Sequence, residues 1–312
     1  EVDLDELSRA FYDEPYRGDP LGSYLSIHTT RAGGAVRGGT FQSGGTVSAL
    51  MRFALKESLI DCAVLTDRRG LLPVPRTVTR EADVMQCAAS KYAAAPTIGE
   101  VNAALKNGHG ALGVVATPCQ TLALAQMRAG RRADQGGADG IRLVVGLFCT
   151  WALSYRDLES FLSKRVDVAA IKKIDIPPPP AEVVLVYTEE GATELPLSEL
   201  RESIPNACAY CIDMTAEFAD LSVGVLEGDT GKNTLIVRTR AGKELVEKAS
   251  RQGYLEVEPY PDEALEHLSW AANNKKRKAL LQLRDTDLLN TGEAVGRAAI
   301  RMRPEVVESI VT

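Results

Sequence analysis

Cys208-Ala-Tyr-Cys211 sets two thiols three positions apart, so a short turn brings both sulfurs to one side of the chain. Asp213 and the run Ala219-Asp-Leu-Ser-Val-Gly224 follow it directly. Two more thiols stand far upstream, Cys119 in Val114-Val-Ala-Thr-Pro-Cys-Gln120 and Cys149 in Leu143-Val-Val-Gly-Leu-Phe-Cys149. Each comes just after a β-branched run, where a buried strand would end. Four thiols from three separated segments suit a buried metal or an iron–sulfur centre. The CxxC spacing alone suits a redox dithiol or half of a zinc knuckle equally well, and buried cysteine also serves as a small hydrophobe. Cys62 and Cys87 read as core, one in a buried strand and the other in a helix-like segment.

Other residues offer binding rather than bond chemistry. Gly44-Gly45 opens a helix, whose first backbone N–H groups favour an anion such as a diphosphate. The spacing is not GxGxxG, and a plain glycine turn is the simpler reading. Ser90-Lys91-Tyr92 presents a hydroxyl, a cation and a ring. The lysine suits a neighbouring group that carries negative charge, or it is simply solvated beside a half-buried tyrosine. Lys232, Asn233, Thr234, Arg238 and Thr239 follow a glycine turn and supply donors for a ribose, a phosphate or a ring edge, or form an ordinary hairpin. His28, His109 and His267 have no paired spacing. Lys275-Lys-Arg-Lys278 reads as a solvated helix face, with steering of an anionic partner as the lesser alternative. No Ser/His/Asp or paired-carboxylate arrangement stands out.

The elements that must position these residues alternate between short strands and amphipathic helices. Helices are expected over Gly45–Glu57, Thr97–Lys106, Gln120–Arg128, Ser154–Lys164 and Gly242–Gln252. Thr97 and Glu100 fit a capping box. Strands are expected over Asp61–Thr66, Ala111–Ala116, Ile141–Leu147, Asn233–Arg240 and Tyr254–Val257, with a hairpin from Val183–Tyr187 and Ala192–Pro196. Residues 129–140 carry four glycines and read as an exposed loop, and Pro177–Pro180 as a stiff extended connector. The acidic, aromatic-bearing first 20 residues read as an arm for a partner, and the tail from Pro261 as helical. The alternation points to an α/β fold.

Composition narrows the classes. The 312 residues are 45% hydrophobic and 25% charged, an ordinary soluble balance with ample length for one large or two moderate cores. A formal charge of −6 argues against a general nucleic-acid binder. No apolar run approaches the roughly 18 residues of a membrane span, and no secretory signal opens the chain. The cysteines therefore read as metal ligands in a reducing cytoplasm, with any contact to the inner membrane face made through a partner. A chain opening at Glu1 rather than methionine is consistent with a segment removed upstream.

In their order along the chain these motifs resemble the β subunit of coenzyme F420-reducing hydrogenase and its dehydrogenase relatives. The matching runs are Gln42-Ser-Gly-Gly-Thr-Val-Ser-Ala-Leu50, Ser90-Lys-Tyr92, Ala116-Thr-Pro-Cys-Gln120 and Gly146-Leu-Phe-Cys149. Lys172-Lys-Ile-Asp-Ile176, the CxxC with Asp213 and Ala219–Gly224, and Gly231-Lys-Asn-Thr-Leu-Ile-Val-Arg-Thr239 complete the series. Each is weak alone. Their ordered occurrence across most of the chain is specific.

The resemblance implies an α/β flavoprotein fold of mixed sheets with flanking helices, holding FAD and one 4Fe-4S cluster. It implies hydride exchange with the deazaflavin coenzyme F420 and single-electron transfer to other subunits of a complex. That complex is of the hydrogenase, formate dehydrogenase, heterodisulfide reductase or F420H2 dehydrogenase type. Cys119, Cys149, Cys208 and Cys211 are the implied cluster ligands. The implied flavin set is Gln42, Ser43, Gly44, Gly45, Thr46, Ser48, Thr66, Ser90, Lys91, Tyr92, Thr117, Lys232, Asn233, Thr234, Arg238 and Thr239. No residue takes a catalytic role, because the cofactors carry the chemistry.

The expected organisation is an arm over residues 1–22, a flavin-binding α/β region over 23–176, a CxxC-bearing region over 177–260 and a helical tail over 261–312. Pro177–Pro180 stand where the family has basic and glycine residues, Lys232 stands where it often has a bulky aromatic, and the CxxCxxC ferredoxin segment of many relatives is absent. Two rivals stand beside this reading. One is a ferredoxin-dependent flavin and iron–sulfur reductase of another organic substrate, and the other is a zinc-stabilised binding subunit without redox function.

Overall fold

The β-branched runs become the parallel heart of one large sheet. The computed structural model describes residues 1–36, 41–134, 140–177, 181–292 and 298–312. The chain opens with β1 (Val2–Asp3), α1 (Leu4–Tyr12) and β2 (Ser26–Ala32). Next come α2 (Thr46–Lys56), the hairpin β3 (Cys62–Arg69) and β4 (Leu72–Val78), and a 3₁₀ turn at Glu81–Cys87. Then α3 (Thr97–Lys106), β5 (Leu112–Ala116), α4 (Pro118–Asp134) and β6 (Ile141–Leu147) follow. α5 (Tyr155–Ser163) leads into a small separate sheet of β7 (Lys173–Asp175), β8 (Val183–Tyr187) and β9 (Ala192–Pro196), followed by the single turn α6 (Leu197–Leu200). After a 3₁₀ turn at Asn206–Tyr210 the chain rejoins the large sheet through β10 (Leu221–Leu226) and β11 (Asp229–Val237), then α7 (Arg240–Arg251) and β12 (Leu255–Pro259). α8 (Asp262–Asp285), β13 (Leu289–Asn290), β14 (Ile300–Arg301) and α9 (Pro304–Val311) finish it.

The large sheet runs β12-β2-β11-β10-β6-β5-β3-β4. β3, β5, β6 and β10 are parallel, with antiparallel strands added on both sides. Parallel strands covered on both faces need apolar side chains on both, which is why they read as unbroken runs. Side chains alternate between two cores. Ala63, Leu65, Val145 and Leu235 pack with α2 and α7, whereas Cys62, Val64, Val114 and Val144 pack with α3 and α4. The small sheet packs with α5 and α6 around Leu158, Leu162, Val184 and Leu200. The carboxyl ends of β5 and β6 deliver Cys119 and Cys149 to one edge, where sheets of this kind bind ligands. Among the described residues no helix is long and apolar enough to cross a membrane.

Several expectations are corrected. The arm packs on its own chain: Val2 and Asp3 pair with Ile300 and Arg301, and Leu4 and Leu7 join Leu280, Val306 and Ile310. The apolar stripe of α1 finds its cover in the C-terminal tail, which is not wholly helical but contributes β13 and β14. α4 continues to Asp134, so the glycine-bearing segment is helical in its first part, while residues 135–139 lie outside the described chain. Thr97 is the first residue of α3 rather than its cap, and Glu100 accepts from the Thr77 hydroxyl at 2.7 Å, so no capping box forms. Of the expected proline connector, residues 178–180 lie outside the described chain.

One stability prediction arises here. Tyr16 is buried and donates to Glu217 Oε2 at 2.9 Å. Loss of hydration, then the Glu217 charge, holds its phenol well above the ordinary value. A folded value above the unfolded one gives stability that is complete below about pH 10 and drains away as pH rises past it. Circular dichroism should therefore fall together with the appearance of phenolate absorbance above about pH 10. Ionisation of this phenol without unfolding would contradict the assignment.

Candidate functional site

The four thiols are set by three turns. At the end of β5 the Thr117 N–H donates to Gln120 Oε1 at 3.1 Å, and Gln120 Nε2 donates to the Ala95 carbonyl at 2.6 Å. This puts Cys119 in the first turn of α4, exposed, with its sulfur 3.5 Å from Thr117 Oγ1. Cys149 follows β6, and its N–H donates to the Met214 carbonyl at 2.9 Å, tying the strand end to the segment after the CxxC. Cys208 lies within the 3₁₀ turn and Cys211 follows it, and the Cys211 thiol donates to the Asp213 carbonyl at 3.3 Å. The Asp213 carboxylate accepts from the N–H groups of Thr215 (2.9 Å) and Glu217 (2.8 Å).

The other three sulfurs lie near enough to Cys149 to act on it by charge. Burial pushes the Cys149 thiol up to about 12; the Lys275 ammonium opposes this, and Cys211, Cys119 and Cys208 reinforce it. Burial raises Cys211 as well, with Lys275 again opposing. Thiols in such a place hold their protons until a metal displaces them.

Among the described residues, only Asp61, Cys62 and His109 place three candidate ligand atoms within 4.8 Å of one another. That trio lies at the amino end of β3, where Asp61 Oδ2 accepts from the Gly110 and Ala111 N–H groups and pins their turn. No three of the four sulfurs come so close.

A second half-site lies at the start of α2. Gly45 is the left-handed residue before that helix (φ 80°). Asn233 Oδ1 accepts from the Thr46 N–H at 3.2 Å and Asn233 Nδ2 donates to the Gly224 carbonyl at 3.0 Å, while the Thr46 and Thr30 hydroxyls meet at 2.8 Å. A β-carbon on Gly44 would sit 2.8 Å from Asn233 Oδ1 and 3.0 Å from both Lys232 Cα and the Thr30 carbonyl, so only glycine fits. Gln42 Nε2 donates to Asp175 Oδ1 at 2.7 Å. Asp175 also accepts from the Tyr92 hydroxyl at 3.3 Å and pairs with Lys173 at 3.0 Å. With its amide nitrogen committed, Gln42 keeps Oε1 as a buried acceptor with no partner among the described residues.

Phe148 joins the two half-sites. It precedes Cys149, and its ring lies so close over Gly224 that a β-carbon there would come within 2.0 Å. Gly224 in turn holds Asn233.

The expected flavin residues divide. Gln42, Gly44, Gly45, Thr46, Tyr92, Lys232 and Asn233 converge, with half-buried Ser43 and Ser48 in the same segment. Thr117 is at the cysteine edge, and Thr66 is half-buried in β3, opposite Pro75 of β4. Ser90 is exposed. Lys91 donates to the carbonyls of Cys87, Ala88 and Ala89 at 2.6, 2.9 and 2.9 Å and caps a 3₁₀ turn, its amine lowered by burial to about 8. Lys232 pairs with Glu258 at 2.8 Å, and the Thr234 and Tyr260 hydroxyls meet at 3.1 Å. Arg238 is buried and makes five bonds, to Ser222 Oγ, the Leu21, Ser23 and Thr215 carbonyls and Thr215 Oγ1. Those are all the donors a guanidinium has, so it clamps loops and offers a ligand nothing. Thr239 caps α7 and donates to Asp220.

Sequence reasoning missed two lysines. The expected solvated face of α8 is wrong for both. Lys276 is 0% exposed, paired with Glu217 at 2.8 Å and bonded to the Tyr16 hydroxyl and Asp19 carbonyl. Lys275 donates to the Cys149 carbonyl at 2.6 Å and the Asp213 carbonyl at 2.8 Å. Leu268, Ala272, Lys276, Leu280 and Leu283 form one buried stripe at helical spacing, the signal that would have placed Lys276 inside. Asp175 stood within a motif but outside the expected site set.

Comparison with known proteins adds lineage to this geometry. The coenzyme F420 hydrogenase subunit beta of Methanothermobacter thermautotrophicus is 29% identical over 266 residues, covering 83% of this chain and 94% of that one. The coenzyme F420-dependent sulfite reductase of Methanocaldococcus jannaschii is 31% identical over 216 residues, 65% of this chain but 34% of that protein. A chain of the F420-reducing [NiFe] hydrogenase complex from Methanosarcina barkeri superposes with a TM-score of 0.77 at 24% identity, over 92% of this chain and 98% of that one, and so has the same fold. Residues 33–101 match the N-terminal part and residues 110–263 the C-terminal part of one family, and the chain belongs to it: the coenzyme F420 hydrogenase/dehydrogenase β subunits.

Proposed function

We propose that the protein is the flavin and iron–sulfur electron-transfer subunit of a coenzyme F420-dependent oxidoreductase. Family membership makes the F420 link. The observation that carries the cofactor reading is the gathering of thiols from three segments around Cys149, joined through Phe148 and Gly224 to the glycine turn at the start of α2. Bound FAD would supply hydride exchange with the deazaflavin, and a 4Fe-4S cluster would supply single-electron transfer to a partner subunit.

The chain's own groups have distinct tasks. Cys119, Cys149, Cys208 and Cys211 would hold the cluster. The N–H groups at the start of α2 suit the FAD diphosphate, because a helix amino end favours negative charge. Asn233 already accepts from Thr46, which fixes that end in position. Gln42 Oε1, oriented by Asp175, suits an N–H on the edge of a flavin or deazaflavin ring. Partners of the hydrogenase, formate dehydrogenase, heterodisulfide reductase or F420H2 dehydrogenase type, in the cytoplasm or at the inner membrane face, would take the electrons.

Anaerobic purification tests this reading. Flavin absorption in the blue, about four irons per chain and reduction of the bound flavin by reduced F420 are expected. A colourless protein carrying zinc overturns it. Reduction by ferredoxin but not by reduced F420 points instead to a reductase of another substrate. Gly44→Ala should lower flavin affinity at least about tenfold with the fold retained, since the added carbon meets backbone that cannot yield cheaply. Flavin content and a melting curve measure both parts.

A further inference from the structure

We propose that Lys275 is the positioning residue of the cysteine cage, holding its segments together and setting the reduction potential of the centre they carry. This rests on the iron–sulfur reading of the cage and extends it to a residue outside the ligand set.

The geometry has three parts. First, the Lys275 ammonium joins carbonyls from two different segments, Cys149 after β6 and Asp213 after the CxxC. The only other backbone tie between these segments at this point is the bond from the Cys149 N–H to Met214, among the described residues. Second, α8 packs directly on the 3₁₀ turn that carries Cys208, so the lysine sits on a rigid element beside the sulfurs. Third, its neighbour Lys276 grips the far end of the same loop. Lys276 pairs with Glu217, whose N–H is held by Asp213. Consecutive helix residues point about 100° apart, so one lysine faces the cage and the other the buried core. Residues 211–217 are held from both sides.

Charge gives the second consequence. Lys275 is the leading cation acting on both Cys149 and Cys211. When such a centre is reduced it gains one electron, with no bond made or broken, and its net charge becomes more negative. A fixed positive charge within a few ångströms stabilises the reduced form, more so in a partly buried site than in water. Hydrogen bonds and charge around the sulfurs are among the levers that set such potentials.

The test uses the full chain purified anaerobically as wild type, Lys275→Met and Lys275→Arg. Iron and acid-labile sulfide per chain are measured, and the midpoint is read by electron paramagnetic resonance during a dithionite titration. Lys275→Met should lower the reduced-to-oxidised ratio at the wild-type midpoint about tenfold, which is about 59 mV for a one-electron couple. Lys275→Arg should restore most of it, because the charge is kept. Where Lys275→Met yields no iron, full iron and a near-wild-type midpoint in Lys275→Arg still support the proposal. A wild-type midpoint in Lys275→Met overturns it, as does an equal shift or loss of iron in both variants. A wild-type chain without iron overturns the underlying reading of the cage, a failure visible before either variant is made.

Discussion

Replacing Cys208 with serine is expected to remove most of the iron from the purified protein while flavin stays bound. A serine hydroxyl is a poor ligand for iron beside three thiolates, and its oxygen cannot reach the spacing set by a longer C–S bond. The loss should be large because the cage draws on three segments, so no nearby spare thiol replaces the missing one. Cys62 is buried at the amino end of β3, away from the carboxyl ends that carry Cys119 and Cys149, and Cys87 packs against the α2 core with its carbonyl held by Lys91. Flavin should persist because Gly44, Thr46 and Asn233 are positioned by α2 and β11 and need nothing from the CxxC turn. Iron, sulfide and flavin per chain measure the effect, with circular dichroism to verify the fold. Equal iron in variant and wild type would show that Cys208 is not a ligand.

How much of this was legible in the sequence follows from the range of the interactions involved. The strands β3, β5 and β6 were readable because burial on both faces forces apolar residues at successive positions. The cysteine positions were readable for the same reason: parallel strands end where their apolar runs end, and ligands collect at that edge. Arg238 was not readable. Its neighbours suggest a polar hairpin edge, yet its partners lie near residues 21–23, 215 and 222, and only the packed fold brings them together. The amino-terminal arm failed similarly, because a stripe on α1 does not reveal whether a partner or the chain's own tail covers it. The basic run on α8 is solvated at Arg277 and Lys278 but not at Lys276, and the spacing of Leu268, Ala272 and Leu280 around Lys276 contained that answer. Residue type outweighed periodicity there, and periodicity was the better guide.

That buried lysine carries a large stability effect. Lys276→Met should cost about 3–5 kcal/mol, since it leaves the Glu217 carboxylate buried without its cation. Glu217→Gln in the same background should recover much of the loss, because removing both charges leaves no uncompensated ion. The pH dependence gives an independent sign. Burial raises the Glu217 carboxyl above its ordinary value, and the Lys276 charge opposes that rise. Without the lysine the carboxyl is pushed further up, so the folded variant holds a proton that the unfolded chain releases. Stability of that kind is complete below the unfolded value, about 4.3, and is lost as pH rises through the folded one. The deficit of Lys276→Met relative to wild type should therefore be greatest near neutrality and shrink toward about pH 5. Urea unfolding of the two proteins and the double variant at both pH values measures it. A deficit below about 1 kcal/mol would mean that the pair is solvated like a surface salt bridge. Because Glu217 anchors the loop that begins at Cys211, a full deficit should also appear as faster loss of iron from the folded variant, linking the buried pair to the cage beside it.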